Sequence, residues 1–173
     1  MPGKRDDNMK IMKRFFQILT LFLLISIPDL FAQFEGTLGI GAHASYGTEI
    51  NRPGIGGHLH YYHTNNLRFA PSFTYFPEIK DKGMWMIDAD AHYVLPVSIT
   101  ASLYPIGGIH YSNWLFDETT EMPRTTKHRL GTNLGMGFQH DISYRVRANF
   151  ELKYQFIRDY SQVMLSAGFG FWF

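Results

Sequence analysis

The sequence predicts an all-β protein: an eight-stranded antiparallel up-and-down transmembrane β-barrel that follows an N-terminal signal peptide. Three observations lead to this fold class. Apolar and polar side chains alternate with a period of two over most of residues 37–173. The alternating segments have about ten residues or more, whereas an ordinary globular strand has about five or six. The chain's one long apolar run lies before residue 33.

Residues 1–32 have the features of a secretory signal peptide. Three basic residues within 10–14 precede an apolar run over 15–27, and Ala32 provides a small residue at the expected cleavage site. The run is shorter than the ~20 apolar residues that a membrane-spanning helix requires. Cleavage after Ala32 is therefore favoured over an N-terminal anchor.

Composition narrows the class of the remaining domain, predicted as 33–173. Residues 1–8 precede a second methionine, Met9, and are interpreted as an upstream extension of the signal peptide. The chain has no cysteine, which excludes disulfides, thiolate metal sites and a lipidated cysteine. A formal net charge of +1 gives no reason to expect a nucleic-acid partner.

Each strand is predicted from its own alternation. In the first four, aliphatic and aromatic residues such as Ile40, Leu59, Phe73 and Ile87 share a face, opposite glycine, histidine, serine and aspartate. The fifth and sixth repeat this pattern, and the seventh alternates without interruption from Tyr144 to Phe156. The predicted strands cover residues 34–46, 54–63, 67–76, 84–94, 98–113, 129–139, 144–156 and 162–173.

The connections between these strands alternate in length. Those predicted at 64–66, 95–97 and 141–143 are short, and those at 48–53, 77–83, 114–128 and 157–161 are longer. Outer-membrane barrels have short periplasmic turns and longer external loops. The pattern therefore predicts periplasmic termini and external long loops.

Alternation alone leaves open which face is outside, because a soluble barrel such as a lipocalin would enclose its apolar face. Strand length favours a lipid-facing apolar surface, and so do aromatic residues near strand ends, which would form interfacial girdles. These aromatic residues are Tyr46, Tyr61, Tyr75, Trp85, Tyr93, Tyr144 and Phe156.

The last strand carries Phe169, Phe171 and Phe173 on one face. This pattern resembles the C-terminal signal of bacterial outer-membrane proteins, which the outer-membrane assembly machinery reads. The eight-strand domain as a whole is similar to the OmpA transmembrane-domain and OmpX-like barrels. The resemblance implies localisation in the outer membrane of a Gram-negative bacterium, with outer-membrane lipids and the assembly machinery as partners.

An eight-stranded barrel is only wide enough for side chains to fill its interior. Counting through the 141–143 turn places Arg147 opposite Gly137, Asn149 opposite Gly135 and Lys153 opposite Gly131. Buried charges must be paired, so we expect an ion-paired interior rather than a pore. The expected network comprises Arg68, Asp88, Asp90, Arg145, Arg147, Glu151 and Lys153.

Five histidines also point inward, judged by parity, that is, by the alternation of successive side chains between the two faces of a strand. They are His43, His58, His60, His92 and His110, and His43 is expected about opposite His58. Imidazole and carboxylate groups can hold Zn²⁺ or Cu²⁺. No dense ligand spacing of the kind found in zinc proteases is present. We therefore expect a hydrogen-bonded polar interior with no metal and no cofactor.

The string His110-Tyr111-Ser112-Asn113 is similar to the His-x-Ser-Asn motif of PagL, an eight-stranded outer-membrane lipid A deacylase. That resemblance implies His110 as base and Ser112 as nucleophile. The motif's acid has no match, because the corresponding position holds Arg124, and parity directs both side chains inward. The sequence therefore favours a non-enzymatic structural or surface-binding barrel. A lipid A hydrolase is the alternative, and a small pore comes third.

Overall fold

The computed structural model describes residues 35–79, 82–116 and 125–173, and all regular structure within them is β. The predicted signal peptide, its cleavage site and the upstream extension lie outside these residues. None of the described segments forms a helix long and apolar enough to span a membrane. The strands are β1 (Leu38–Gly47), β2 (Arg52–Tyr62), β3 (Leu67–Ile79), β4 (Lys82–Tyr93), β5 (Leu95–Pro96), β6 (Ala101–Phe116), β7 (Thr125–Asp141), β8 (Val146–Ile157) and β9 (Gln162–Trp172).

All strand pairs are antiparallel, and the sheet closes on itself. The order is β4-β3-β2-β1-β9-β8-β7-β6-β5, and β4 also pairs with β6. The two-residue β5 continues β4 beyond Val94 and pairs with the same neighbour, β6. β1 pairs with β9 from Gly39↔Trp172 to Gly47↔Met164, which joins the first strand to the last. The chain is thus a closed eight-stranded barrel, as the sequence predicts.

The strands run further into one set of connections than the sequence predicts. Seven of the fifteen residues of the expected 114–128 loop are strand, because β6 extends to Phe116 and β7 starts at Thr125. β8 pairs with β7 only up to Gly131↔Ile157, so residues 125–130 rise beyond β8. The end of the barrel that carries this hairpin is called the loop end, and the opposite end is called the terminal end.

The expected contrast in connection length is therefore wrong except at the β6–β7 hairpin. Connections 48–51 and 158–161 at the loop end are as short as the turns 63–66, 97–100 and 142–145 at the terminal end. Side-chain to backbone hydrogen bonds explain part of this tightening. The Ser161 hydroxyl, for example, donates to the Ile157 carbonyl at 2.9 Å and accepts from the Ile157 amide at 3.1 Å.

The two faces of the wall differ completely in chemistry. Apolar residues point outward, and Ile55, Leu130 and Phe169 expose 68%, 76% and 60% of their surface. Charged and polar side chains on the same strands point inward and are buried, including Arg68, Asp88 and Lys153. A water-soluble barrel would have the reverse arrangement. The apolar face is therefore the outer face, and the lipocalin-like alternative is wrong.

Two apolar clusters fill the interior near its two ends. The loop-end cluster consists of Ile50, Phe76, Met84, Met86, Trp114 and Met164. The terminal-end cluster consists of Tyr62, Val94, Tyr104, Ile106 and Trp172. Polar and charged side chains lie between the two clusters. The interior is thus a packed core in three layers along the barrel axis.

The predicted register between β7 and β8 is wrong by four residues. Gly137 pairs with Glu151, Gly135 with Lys153 and Gly131 with Ile157. The turn spans 142–145 instead of 141–143, because the amides of Ile142 and Ser143 both donate to the carbonyl of Val146. A slip of four residues preserves parity, so the side chains of β8 still point to the predicted faces.

Gly108 and Gly107 are adjacent but experience opposite environments. A Cβ atom on inward-facing Gly108 would lie 2.6 Å from the Ala89 carbonyl and 2.7 Å from the Asp90 Cα, whereas a Cβ on Gly107 would meet nothing within 4 Å. The close approach of β4 and β6 therefore requires glycine only at position 108.

We expect Gly108→Ala to lower the free energy of unfolding by about 1–3 kcal/mol, because backbone atoms of β4 must move. Gly107→Ala, the matched control, should change stability by no more than about 0.5 kcal/mol. Urea unfolding of the refolded barrels in detergent micelles measures both values. Equal stability of the two variants would contradict the close approach at Gly108.

Candidate functional site

The centre of the interior is a lysine between acidic groups. Lys153 Nζ on β8 lies 2.9 Å from Asp90 Oδ2 and 3.2 Å from Asp88 Oδ2, both on β4, and 3.9 Å from Glu151 Oε2. Lys153, Asp88 and Asp90 are buried. Successive inward positions, two residues apart on each strand, bring these groups together. The structure thus brings four of the predicted network residues into one cluster.

Polar side chains complete this cluster. Asp88 Oδ1 lies 2.6 Å from His110 Nδ1, and Asp90 Oδ1 accepts from Asn133 Nδ2 at 2.8 Å. Gln155 Nε2 lies 3.0 Å from His110 Nδ1, and Gln155 Oε1 accepts from Gln162 Nε2 at 2.8 Å. Hydrogen bonds to both aspartates lower the cost of burying their charge.

Arg68 belongs to a separate group nearer the terminal end. Its guanidinium donates to Gln139 Oε1 at 2.6 Å and to His92 Nδ1 at 2.8 Å, and it lies 4.6 Å from the centre of the Tyr104 ring. The expected pairing of Arg68 with a carboxylate is therefore not seen among its contacts. Tyr104 donates to Glu151 Oε1 at 3.0 Å and so links this group to the lysine cluster.

The other two predicted arginines lie at the terminal end. Arg147 is buried, forms an ion pair with Asp141 at 3.0 Å and lies 4.1 Å from the centre of the Trp172 ring. The inward placement of Arg145 is wrong. Arg145 is exposed in the 142–145 turn and lies over the Tyr144 ring, because the turn ends two residues later than predicted.

The histidines on β1, β2 and β4 surround a small cavity. His43 pairs with Gly56 rather than His58, but the Nδ1 atoms of His43 and His58 are 3.3 Å apart. His58 stacks on His60, with ring centres 4.4 Å apart, and His60 lies 5.8 Å from His92. The cavity measures about 30 Å³, and Glu151 and Lys153 also line it. Its volume suits one ion or very few water molecules.

The candidate catalytic residues His110 and Ser112 both point inward and are buried. Asp88 supports His110, as the acid of a catalytic triad would, but Nε2 of His110 has no hydrogen-bond partner in the described part of the chain. The Ser112 hydroxyl instead accepts from Trp114 Nε1 at 3.0 Å. A base that activates serine must contact its hydroxyl and the substrate, and neither contact is available from this position.

The loop end carries cations held over aromatic rings. Lys82 Nζ lies 5.0 Å from the centre of the Trp114 ring, and Lys127 Nζ lies 5.3 Å from that of Phe116. Arg129 lies 5.5 Å from the Tyr160 ring centre and 3.6 Å from Asp159. Lys82 also forms an ion pair with Glu49 at 3.5 Å, and 24% of the Lys82 side chain and 28% of the Arg129 side chain are exposed. Four more charged positions between β6 and β7, at 117, 118, 121 and 124, lie outside the described residues.

Residues of the predicted C-terminal signal lie on the outer face of β9 and just after it. Phe169, Phe171 and Phe173 expose 60%, 42% and 66% of their surface. Six of the seven predicted girdle aromatics are also exposed on the outer face, whereas Trp85 is half-buried against Phe73 and Tyr111. Aromatic rings that lie near strand ends on the outer face suit the boundary between hydrocarbon and headgroups.

Sequence reasoning missed Asn133, Gln139, Gln155 and Gln162, which are buried and hydrogen-bonded in the interior. Their inward parity was available, because each alternates with outward apolar residues. The predicted network contained only charged residues, so it left out the amides that hydrogen-bond to them. The cation–aromatic contacts at the loop end had no sequence signal, because they join β4, β6, β7 and the 158–161 turn.

Comparisons with known proteins agree with this architecture. Residues 18–173 match the family model described as "Outer membrane protein beta-barrel domain". The N-terminal barrel of Pseudomonas aeruginosa OprF superposes with a TM-score of 0.71 at 17% identity and covers 82% of this chain and 100% of that one. Ail of Yersinia pestis gives 0.60 at 20% identity and covers 80% and 99%.

Neisserial surface protein A gives a TM-score of 0.60 at 16% identity and covers 78% of this chain and 95% of its own. Ail has also been solved in complex with the heparin analogue sucrose octasulfate. No curated protein sequence matches the chain. The outward apolar face, the closed barrel and the family match together show that this chain belongs to the outer-membrane β-barrel family, is embedded in outer-membrane lipids and resides in the bacterial outer membrane.

Proposed function

We propose that this protein is a closed, non-conducting scaffold that acts at the cell surface through its β6–β7 hairpin. The observation that carries the proposal is the filling of the interior by two apolar clusters with an ion-paired layer between them. A barrel of eight strands has no further space for a channel. The groups available to a ligand larger than an ion or a water molecule therefore lie on the outside of the barrel.

The loop end is proposed to face the exterior, since the barrel's longest connection, 117–124, lies there and outer-membrane barrels place long loops outside. Export through the signal peptide and recognition of Phe169, Phe171 and Phe173 by the assembly machinery belong to the same proposal. In this orientation the hairpin stands above the membrane with Lys127 and Arg129 on its stem.

The proposed ligand is a sugar that carries sulfate or phosphate groups. Lys82, Lys127 and Arg129 provide three cations, and the rings of Trp114, Phe116 and Tyr160 hold them at one end of the barrel. Guanidinium and ammonium groups recognise such anions through charge-assisted hydrogen bonds. The fold is shared with Ail, which binds a heparin analogue, and this supports the choice of probe.

A non-enzymatic role is part of this proposal. His110 and Ser112 are buried inside the wall, whereas a lipid A hydrolase must present its nucleophile to the outer leaflet. A pore is disfavoured by the same packing that buries these residues.

The purified barrel should produce no stable conductance in planar lipid bilayers, because both apolar clusters block the axis. Single-channel recording in concentrated KCl measures this. An open state at the nanosiemens level, reproducible across preparations, would contradict a closed scaffold.

Lys153→Met should lower the free energy of unfolding by about 3–5 kcal/mol, because Asp88 and Asp90 lose their shared cation while still buried. Lys127→Met, the matched control at the loop end, should cost no more than about 1 kcal/mol. Urea midpoints in detergent micelles give both values. A midpoint for Lys153→Met equal to that of the control would contradict the ion-paired core.

Arg129→Ala should weaken binding of sucrose octasulfate by about tenfold, the loss of one charge-assisted hydrogen bond. Arg145→Ala is the matched control, because Arg145 also lies over a tyrosine ring but at the terminal end. Titration calorimetry on barrels in nanodiscs compares the two.

Equal affinity in both variants, or no binding by the natural protein, would contradict the proposed surface. Two further arms identify the source of the anion. Capture of soluble sulfated glycan by intact cells indicates an external ligand. Competition by purified lipopolysaccharide in nanodiscs indicates the phosphates of the surrounding membrane.

A further inference from the structure

We propose that the cavity inside the barrel is a zinc site formed by His60, His92 and Glu151. One potential ligand atom from each residue lies within 4.8 Å of the other two. Two imidazole nitrogens and one carboxylate oxygen are ligands that Zn²⁺ favours, with a fourth position left for water. This goes beyond the proposed surface function and reverses the sequence-based expectation of a metal-free interior.

The three residues come from three strands and are positioned by packing. His60 on β2 and His92 on β4 are buried, and Glu151 on β8 reaches the cavity from the opposite wall. Coordination at about 2 Å from each ligand requires a contraction of roughly 1 Å per atom. The cavity of about 30 Å³ supplies the space for this movement.

An unpartnered nitrogen indicates a missing occupant. His92 exposes 1% of its surface, and its Nε2 has no hydrogen-bond partner among the described residues, although the ring lines the cavity. His58, which stacks on His60, also buries an Nε2 atom without a partner in those residues. Leaving buried polar atoms unsatisfied costs free energy, so such atoms in a native interior call for an ion or water.

A neighbouring group orients one of the ligands. Tyr104 donates to Glu151 Oε1 at 3.0 Å, so the metal would bind at Oε2, which lies 3.9 Å from Lys153 Nζ. Outer contacts of this kind orient the ligands of metal sites. Arg68 donates to His92 Nδ1 at 2.8 Å and to Gln139 at 2.6 Å, so Nδ1 is already occupied and Nε2 is the ring nitrogen without a partner in the described residues.

The contact with Arg68 also defines the binding step. Because Nδ1 of His92 accepts a hydrogen bond, the neutral ring carries its proton on Nε2. The Zn–Nε2 bond therefore forms only if this proton moves to Nδ1 and Arg68 gives up its hydrogen bond to that nitrogen while keeping the one to Gln139. The positive charges of Arg68 and Lys153 oppose the metal, whereas Glu151, Asp88 and Asp90 favour it.

The experiment adds zinc during refolding, because the apolar clusters close both ends of the interior. Refolded barrels in detergent micelles are desalted, and bound zinc is measured by elemental analysis together with the urea midpoint. We expect one zinc per barrel and a higher midpoint with zinc than without it.

His60→Gln, His92→Gln and Glu151→Gln should each weaken zinc binding by more than the roughly 10- to 100-fold that loss of an outer-shell partner costs. Glu151→Gln retains an oxygen acceptor for Tyr104, so it provides a folded variant that lacks only the carboxylate. His140→Gln, which removes an exposed histidine of β7, is the matched control and should bind zinc normally.

Zinc lost from the three interior variants but retained by His140→Gln supports the site. The absence of zinc from the natural protein refolded in its presence would overturn it, since the cavity then holds only water. Undiminished zinc content in both His60→Gln and Glu151→Gln would also overturn it.

Discussion

The pairing of β1 with β9 is the constraint on which the rest of the structure depends. In hydrocarbon, backbone N–H and C=O groups cannot bond to water, so a sheet that crosses a membrane must have no free edge. The ladder from Gly39↔Trp172 to Gly47↔Met164 removes the last edge. Until β9 is in place, β1 has only one partner, so β9 completes the barrel.

Closure then determines what the interior must contain. Eight strands enclose a space that side chains alone can fill, and every second residue of each strand projects into it. Lys153 can therefore be buried only because Asp88 and Asp90 reach it from the opposite wall. Gly108 makes room for Asp90, and the apolar clusters at both ends keep water away from the ion pairs. The polar layer and the apolar clusters depend on each other, because strong pairing requires exclusion of water.

Parity explains how much of this could be predicted from the sequence. A period of two is a local property, so the face of Asp88, Lys153, His110 and the C-terminal phenylalanines follows from counting along one strand. Register is not local. Moving the β7–β8 turn to 142–145 shifts every pair by four residues and leaves the faces unchanged. Arg145 was misplaced for the same reason, because it belongs to the turn and not to the strand.

Partner choice across the barrel is less predictable still. Lys153 and Asp88 are 65 residues apart, and Arg68 and Gln139 are 71 apart. Which inward groups meet depends on strand tilt and on how far each side chain reaches, and neither is encoded in one strand's pattern. The partners of amides such as Gln155 could therefore not be predicted, although the face of the strand on which they lie could.

The closed interior also separates two kinds of function. A ligand as large as a sugar can reach only the surface, where Lys82, Lys127 and Arg129 are held by aromatic rings. An occupant of the histidine cavity must be no larger than an ion or water and must enter before the clusters of Trp114 and Trp172 pack. Such an occupant would act on the stability of the wall, because it would join β2, β4 and β8 across the axis. Stability of the scaffold and recognition at its surface are thus assigned to different residues, and each can change without loss of the other.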